Sequence, residues 1–218
     1  MPHQLISSAI AVVVGALLVT PALAVPLTPP TNVNGTFDAD NDVEQFEFSI
    51  GTASIVTIDT ISYAGGPFAT NPAILDAGGG FDPIISLFDD TGAFIAEADD
   101  GSATVDAGTG LAFDAFLQTT LDAGVYTVVV TQFDNFFLGG VGDDISLGFD
   151  FDGGPSDFTA FFGCSNGEFC DEFGNNRTNF FNVNVTAEAV AVPEPSALAI
   201  LGFGLVGIGL AARRRRNA

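Results

Sequence analysis

The sequence has no lysine and no tryptophan, and only one histidine and one methionine among its 218 residues. Of its five basic residues four are the terminal arginines, so Arg177 is the only base between residues 25 and 195. These absences exclude whole classes of chemistry. A lysine Schiff base, a histidine general base and a histidine metal ligand are all unavailable. Phosphate recognition needs clustered Lys or Arg, so neither nucleic acid nor an anionic lipid surface is a partner of this region. Without tryptophan the commonest platform for stacking on sugar rings is missing as well.

Acid is what the chain has instead. All twenty-seven Asp and Glu lie in residues 25–195, which carry a formal charge of −26. Such a charge opposes compaction through self-repulsion. The same region is nevertheless rich in Phe, Val and Ile, which do not suit an unfolded polar chain. A folded domain of sufficient size for one core is implied, with no internal linker.

The two ends read differently. Ile10 to Val19 is an apolar stretch of signal-peptide length, and Ala22-Leu23-Ala24 supplies small residues for cleavage, which marks 1–24 as a signal peptide. At the other end Val192-Pro193-Glu194-Pro195 precedes an uncharged run from Ser196 to Ala212 and then Arg213, Arg214, Arg215 and Arg216. Ala197 to Ala212 would make a helix of about 24 Å at ~1.5 Å per residue, somewhat short of a ~30 Å hydrocarbon core. The arginines can snorkel at its far edge, and their charge favours the cytoplasmic side. The Gly202-Phe203-Gly204-Leu205-Val206-Gly207 spacing is no dinucleotide turn, because no acidic residue or soluble helix follows it.

This order of motif, apolar helix and arginines over 192–218 resembles the PEP-CTERM sorting signal of bacteria that make extracellular polysaccharide. The resemblance implies export, a membrane anchor through the C-terminal helix, and processing near Pro-Glu-Pro by an exosortase-type membrane enzyme. The destination it implies is the cell surface or an extracellular, biofilm-like matrix.

Residues 25–191 read as strands. Phe46 and Phe48 flank Glu47; Ile55 to Ile58, Ile84 to Phe88 and Val125 to Thr131 are short β-branched runs; Phe181 to Val185 alternates apolar residues with Asn. Turn signals such as Asp90-Thr91-Gly92, Asp100-Gly101 and Asp122-Ala123-Gly124 separate them. No helical period is sustained for three turns. The expected fold is all-β, an antiparallel β-sandwich of about seven to nine strands, with helices only in the terminal signal and anchor. Asp42 to Phe48, Phe81 to Gly92, Ala98 to Gly101 and Leu121 to Val130 follow one another in an order similar to the bacterial pre-peptidase C-terminal domain. That resemblance implies a jelly-roll-like, non-catalytic sandwich. It leaves the insertion at 63–80 and the Phe-rich extension at 133–186 without a role.

Asp38, Asp40 and Asp42 stand on alternate residues, and Asp99-Asp100 lies in a turn that the resemblance brings to the same end of the sandwich. Hard oxygen ligands at this density suit Ca²⁺, and some relatives of the resembled domain use acids at such positions for calcium. The competing reading is that these are solvated turn residues and strand caps. Cys164 and Cys170, the only cysteines, are expected to pair as a disulfide in an exported chain. No carboxylate pair stands out for glycoside hydrolysis, so a non-enzyme is expected. The function that follows is a structural or adhesive surface protein acting with divalent cations and extracellular polysaccharide. The alternative is a carbohydrate- or protein-binding module that uses the Phe-rich segment, with Phe136-Phe137 and Phe161-Phe162 the pairs most suited to turn a ring outward.

Overall fold

The computed structural model describes residues 25–65 and 79–190, and their alternating segments form eight strands. These are β1 (Thr31–Thr36), β2 (Glu44–Ile50), β3 (Ser54–Thr60), β4 (Pro83–Asp89), β5 (Phe94–Ala98), β6 (Phe116–Leu121), β7 (Gly124–Gln132) and β8 (Phe180–Ala189). Helix among the described residues is limited to two 3₁₀ turns, Ile145–Leu147 and Phe158–Phe162. None of it is long and apolar enough to cross a membrane. The signal peptide expected at 1–24 and the sorting tail expected at 192–218 lie outside the described residues.

The strands form two four-stranded sheets, ordered β1-β8-β3-β6 and β2-β7-β4-β5, and every pairing within them is antiparallel. The protein is therefore an all-β sandwich. Alternation decides which side chains meet between the sheets. Val56 and Ile58 of β3, Val183 and Val185 of β8, Ile85 and Leu87 of β4, and Val128 and Val130 of β7 point inward and are buried in one core with Phe37, Phe48, Phe81 and Phe181. Phe37 packs 4.6 Å from Phe81 and 5.5 Å from Phe181, centroid to centroid, and so joins both sheets.

The two outer faces differ. Ile84, Phe88 and Val129 point away from the main core yet are wholly buried, because Phe137 and Phe149 of the Phe-rich extension pack over Phe88 and Val129. The T-shaped contact between Phe88 and Phe137 has a centroid distance of 5.0 Å. Burial on both faces explains why β4 and β7 read as continuous apolar runs rather than alternating ones. The outer face of β1-β8-β3-β6, by contrast, carries Asn32, Asn184, Thr57, Asp59 and Gln118, all half-buried or exposed. Much of the extension that the sequence left without a role thus serves as a lid on one sheet.

Arg177 pins the neck of the insertion. It is buried, donates from Nε to the Gly80 carbonyl at 3.0 Å and from Nη2 to the Tyr63 carbonyl, and lies 3.7 Å over the Tyr63 ring. Its Nη1 is 3.5 Å from Asp106 Oδ1. The one base of the exported region is thereby committed to holding the chain on either side of 66–78. Cys164 and Cys170 are joined by a disulfide with Cα atoms 5.5 Å apart, closing the loop after the second 3₁₀ turn.

Candidate metal centre

Among the described residues, buried carboxylates divide into those with donors around them and one with an oxygen left without any. Asp40 accepts from Phe158 N at 3.2 Å, Thr159 N at 2.9 Å and Thr159 Oγ1 at 2.6 Å, and so caps the turn Phe158–Phe162 from a distant part of the chain. Asp114 accepts from Thr60 Oγ1 and from the backbone N–H groups of Ser62, Tyr63 and Ala64. Asp171 accepts from Tyr63 Oη, Phe173 N, Asn175 N and Asn175 Nδ2. Asp106 takes three bonds from Gly108 and Thr109 and faces Arg177. Each of these negative charges is stabilised where it stands.

Asp82 is different. It is 4 % exposed, and its Oδ1 is buried with no hydrogen-bond partner among the described residues. Asp99 Oδ1 is in the same condition. A carboxylate oxygen of Asp82, one of Asp99 and one of Asp100 lie within 4.8 Å of one another.

The hairpin β4–β5 makes this meeting. Ile85 pairs with Ala98, so counting outward along the antiparallel register sets the residues before Pro83 against the Asp99-Asp100-Gly101 turn. Phe133 N donates to the Asp82 carbonyl at 2.9 Å and Phe116 N to the Asp100 carbonyl at 3.1 Å, which fix both backbones. Burial holds the Asp82 carboxyl well above the usual range, with the charges of Asp99, Asp100, Asp114 and Asp171 adding to it. Asp99 is pushed up to about 7, chiefly by burial and then by Asp100, Glu97, Glu172 and Asp134. Asp100 is raised by burial and by Asp114.

Three acids converging without a base, two of them with a buried orphaned oxygen, form a donor set for a hard divalent cation. Ca²⁺ takes six to eight oxygens, so carbonyls and water would complete the sphere. An ion here would supply the counter-charge that the protein does not.

The sequence placed its calcium ligands partly elsewhere. Asp99 and Asp100 are in the cluster, but Asp38, Asp40 and Asp42 do not join it. Asp42 Oδ2 accepts from the N–H groups of Asp38 at 2.6 Å and Ala39 at 3.0 Å, an internal turn bond, and Asp38 is exposed. Asp40 is spent on the Phe158–Phe162 turn. The alternate spacing of these three acids is that of a capped turn, because side-chain oxygens here meet backbone donors rather than one another. The sequence reading contained Asp82 only within the Phe81 to Gly92 segment of the resemblance. Its role was recoverable from the short Asp90-Thr91-Gly92 turn, since counting back along the hairpin from that turn sets Asp82 beside Asp99 and Asp100. Of the Phe residues considered for an outward ring, Phe161 is 66 % exposed, while Phe136 is half-buried and 5.8 Å from Phe133.

Comparison with known families bears on the C-terminal end. Residues 191–216 match the family model described as the PEP-CTERM protein-sorting motif. The chain carries a PEP-CTERM sorting motif. The motif implies export, membrane anchoring before processing, and an exosortase as the processing enzyme. No curated protein matches the chain. Among solved structures the sandwich is similar to the pre-peptidase C-terminal domain of a collagenase from Bacillus anthracis, at 10% identity and a TM-score of 0.37. That alignment covers 74% of this chain and 92% of the collagenase domain. A likeness at this TM-score assigns no role to any residue downstream or upstream of the sorting motif.

Proposed function

We propose that this is a non-enzymatic component of the cell surface or extracellular matrix, delivered by its PEP-CTERM tail and completed outside the cell by Ca²⁺ at Asp82, Asp99 and Asp100. The buried Asp82 carboxylate, whose Oδ1 has no partner among the described residues, carries this reading. A buried ionised carboxylate without a partner is costly, and an exported protein meets the millimolar-range calcium that extracellular modules of modest affinity use. Around that centre the remaining acids form a diffuse surface that divalent cations can bridge to other copies or to anionic glycans. The buried acids other than Asp82 are all engaged in holding turns, which fits a scaffold rather than a catalyst.

The test is equilibrium dialysis of the full chain, purified in a neutral detergent, against calcium at fixed ionic strength. One saturable equivalent per chain is expected, lost in Asp82→Asn and in Asp99→Asn and retained in Asp40→Asn. Binding that is many-fold, weak and unchanged in both cluster variants would leave only a diffuse ion atmosphere and reject the centre.

A second reading, a partner-binding module built on the Phe-rich segment, is favoured by the exposure of Phe161 at 66 % and Phe173 at 65 %. Loss of partner capture in Phe161→Ala with an unchanged Tm would support it.

A further inference from the structure

The uncovered face of β1-β8-β3-β6 is built from the wrong residues for strand formation alone. Asn is disfavoured in strands, yet Asn32 and Asn34 of β1 and Asn182 and Asn184 of β8 form two adjacent cross-strand pairs. The register extends one of these pairs across the whole sheet. Asn32 stands opposite Asn184, Asn184 opposite Asp59, and Asp59 opposite Phe116. One transverse row therefore runs through all four strands, about 14 Å long at ~4.8 Å between strands. The neighbouring row is Thr186, Thr57 and Gln118.

The amides in this row are held in place by one another. Asn32 Nδ2 donates to Asn182 Oδ1 at 2.8 Å and to Asn184 Oδ1 at 2.6 Å, and Asn184 Nδ2 lies 3.4 Å from Asp59 Oδ2. Gln118 Nε2 donates to Thr57 Oγ1 at 3.0 Å. An amide has two N–H donors and two lone pairs, so Asn184 keeps one donor and one acceptor free after these bonds. A shallow groove of about 410 Å³ opens on the same face, lined by Pro30, Thr31, Asn32, Asp59, Asn184 and Thr186. Phe116 closes the row with a ring that is 41 % exposed.

Charge selects the occupant. An anionic ligand finds no base on this face, and a cationic one finds far denser acid elsewhere on the domain. What the rows offer is paired donors and acceptors on uncharged, pre-positioned side chains, one carboxylate acceptor and one aromatic ring. Those are the groups that recognise vicinal hydroxyls and the apolar C–H side of a sugar ring. We propose that the outer face of β1-β8-β3-β6 binds an uncharged polysaccharide along the row Asn32, Asn184, Asp59 and Phe116.

This site is separate from the Asp82 centre, and its test is independent of calcium. The full chain in neutral detergent is run on native gels containing dextran, laminarin, mannan or galactan, each with and without EDTA. Retardation is expected in at least one of the four neutral gels and unchanged by EDTA. Asn184→Thr, which keeps a good strand former, and Phe116→Ala should each weaken binding tenfold or more while leaving Tm within two degrees of wild type. Two results would overturn the proposal: no retardation in any neutral gel, or retardation that both variants keep. Self-association abolished by Phe116→Ala would likewise reject it, since the face would then be a contact between copies of this chain.

Discussion

Replacing Asp82 by Asn should produce effects of opposite sign with and without calcium, and that pair of signs is a sharp test of the metal centre. In wild type at pH 8, calcium at about one hundred times its Kd adds ~2.7 kcal/mol to the native state by mass action. For a domain of this size each kcal/mol moves Tm by about 2–4 °C. A rise of roughly 5–11 °C on calcium addition is therefore expected by differential scanning fluorimetry or calorimetry. In Asp82→Asn the rise should fall to whatever MgCl₂ at matched ionic strength gives. Without calcium the same variant should unfold at a higher temperature than wild type, because it removes one of three converging acids whose Oδ1 has no donor among the described residues. Asp40→Asn supplies the contrast. Asp40 accepts three hydrogen bonds at the Phe158–Phe162 turn, so its replacement should lower stability equally with and without calcium, by about 1–3 kcal/mol, and leave the calcium increment intact.

The reasoning fails on either of two results. Equal stabilisation by Mg²⁺ and Ca²⁺ that persists in Asp82→Asn would mean screening of the −26 charge. A calcium rise lost in Asp40→Asn but kept in Asp82→Asn and Asp99→Asn would return the site to the Asp38-Asp40-Asp42 turn. Asp99→Asn guards against a folding defect particular to position 82.

The pH dependence follows with a definite sign. Asp82, Asp99 and Asp100 have raised pKa values in the folded state, with Asp99 at about 7, so calcium-free Tm should fall as pH rises from about 4 through 7 on their account. The calcium-induced rise should do the reverse, being largest at pH 8 and shrinking below about 7 as protons compete for the same oxygens. Reduction of Cys164–Cys170, which closes a loop of sequence separation 6, should cost about 2 kcal/mol on the chain-entropy estimate, read as a lower urea midpoint in Cys164→Ser/Cys170→Ser. Phe88→Ala should cost ~3–5 kcal/mol, because its ring touches both Phe94 and Phe137; a loss below 1 kcal/mol would mean that the extension does not seal β4. Arg177→Met should destabilise by roughly 3–5 kcal/mol, since it strands buried Asp106 and the carbonyls of Tyr63 and Gly80, and an unchanged Tm would contradict the neck it forms.

How far the sequence speaks depends on the range over which each residue acts. Strands β3, β4 and β7 were legible because Ile, Val and Phe in short runs suit a pleated, buried surface. Strand β1 was not, since Thr31-Asn32-Val33-Asn34-Gly35-Thr36 holds two Asn and a Gly, poor strand formers that are in register only because β8 lies beside them. Asp38, Asp40 and Asp42 looked like a ligand set because their spacing is local, whereas the partner that occupies Asp40 is Thr159, 119 residues away. The Phe-rich extension resisted interpretation for the same reason, as its rings pack on Phe88 and Val129 rather than on one another alone.

In a chain with so many acids, abundance and spacing carry little weight, and the satisfaction of each carboxylate carries a great deal. Asp40, Asp106, Asp114 and Asp171 are as deeply buried as Asp82, and a count of acids treats all five alike. Donors separate them: four hold turns in place, and the fifth, with Asp99, leaves an oxygen unmet among the described residues. The same test applied to amides separates the two sheets. Phenylalanine from the extension covers β4 and β7 on one outer face, while the other face keeps the partly satisfied Asn32 and Asn184 in a row that Asp59 and Phe116 continue across four strands. The pre-positioned amides therefore lie on the sheet opposite the one that carries Asp82. Cation and polysaccharide would then engage different sheets of the sandwich, and removing either should leave the other bound.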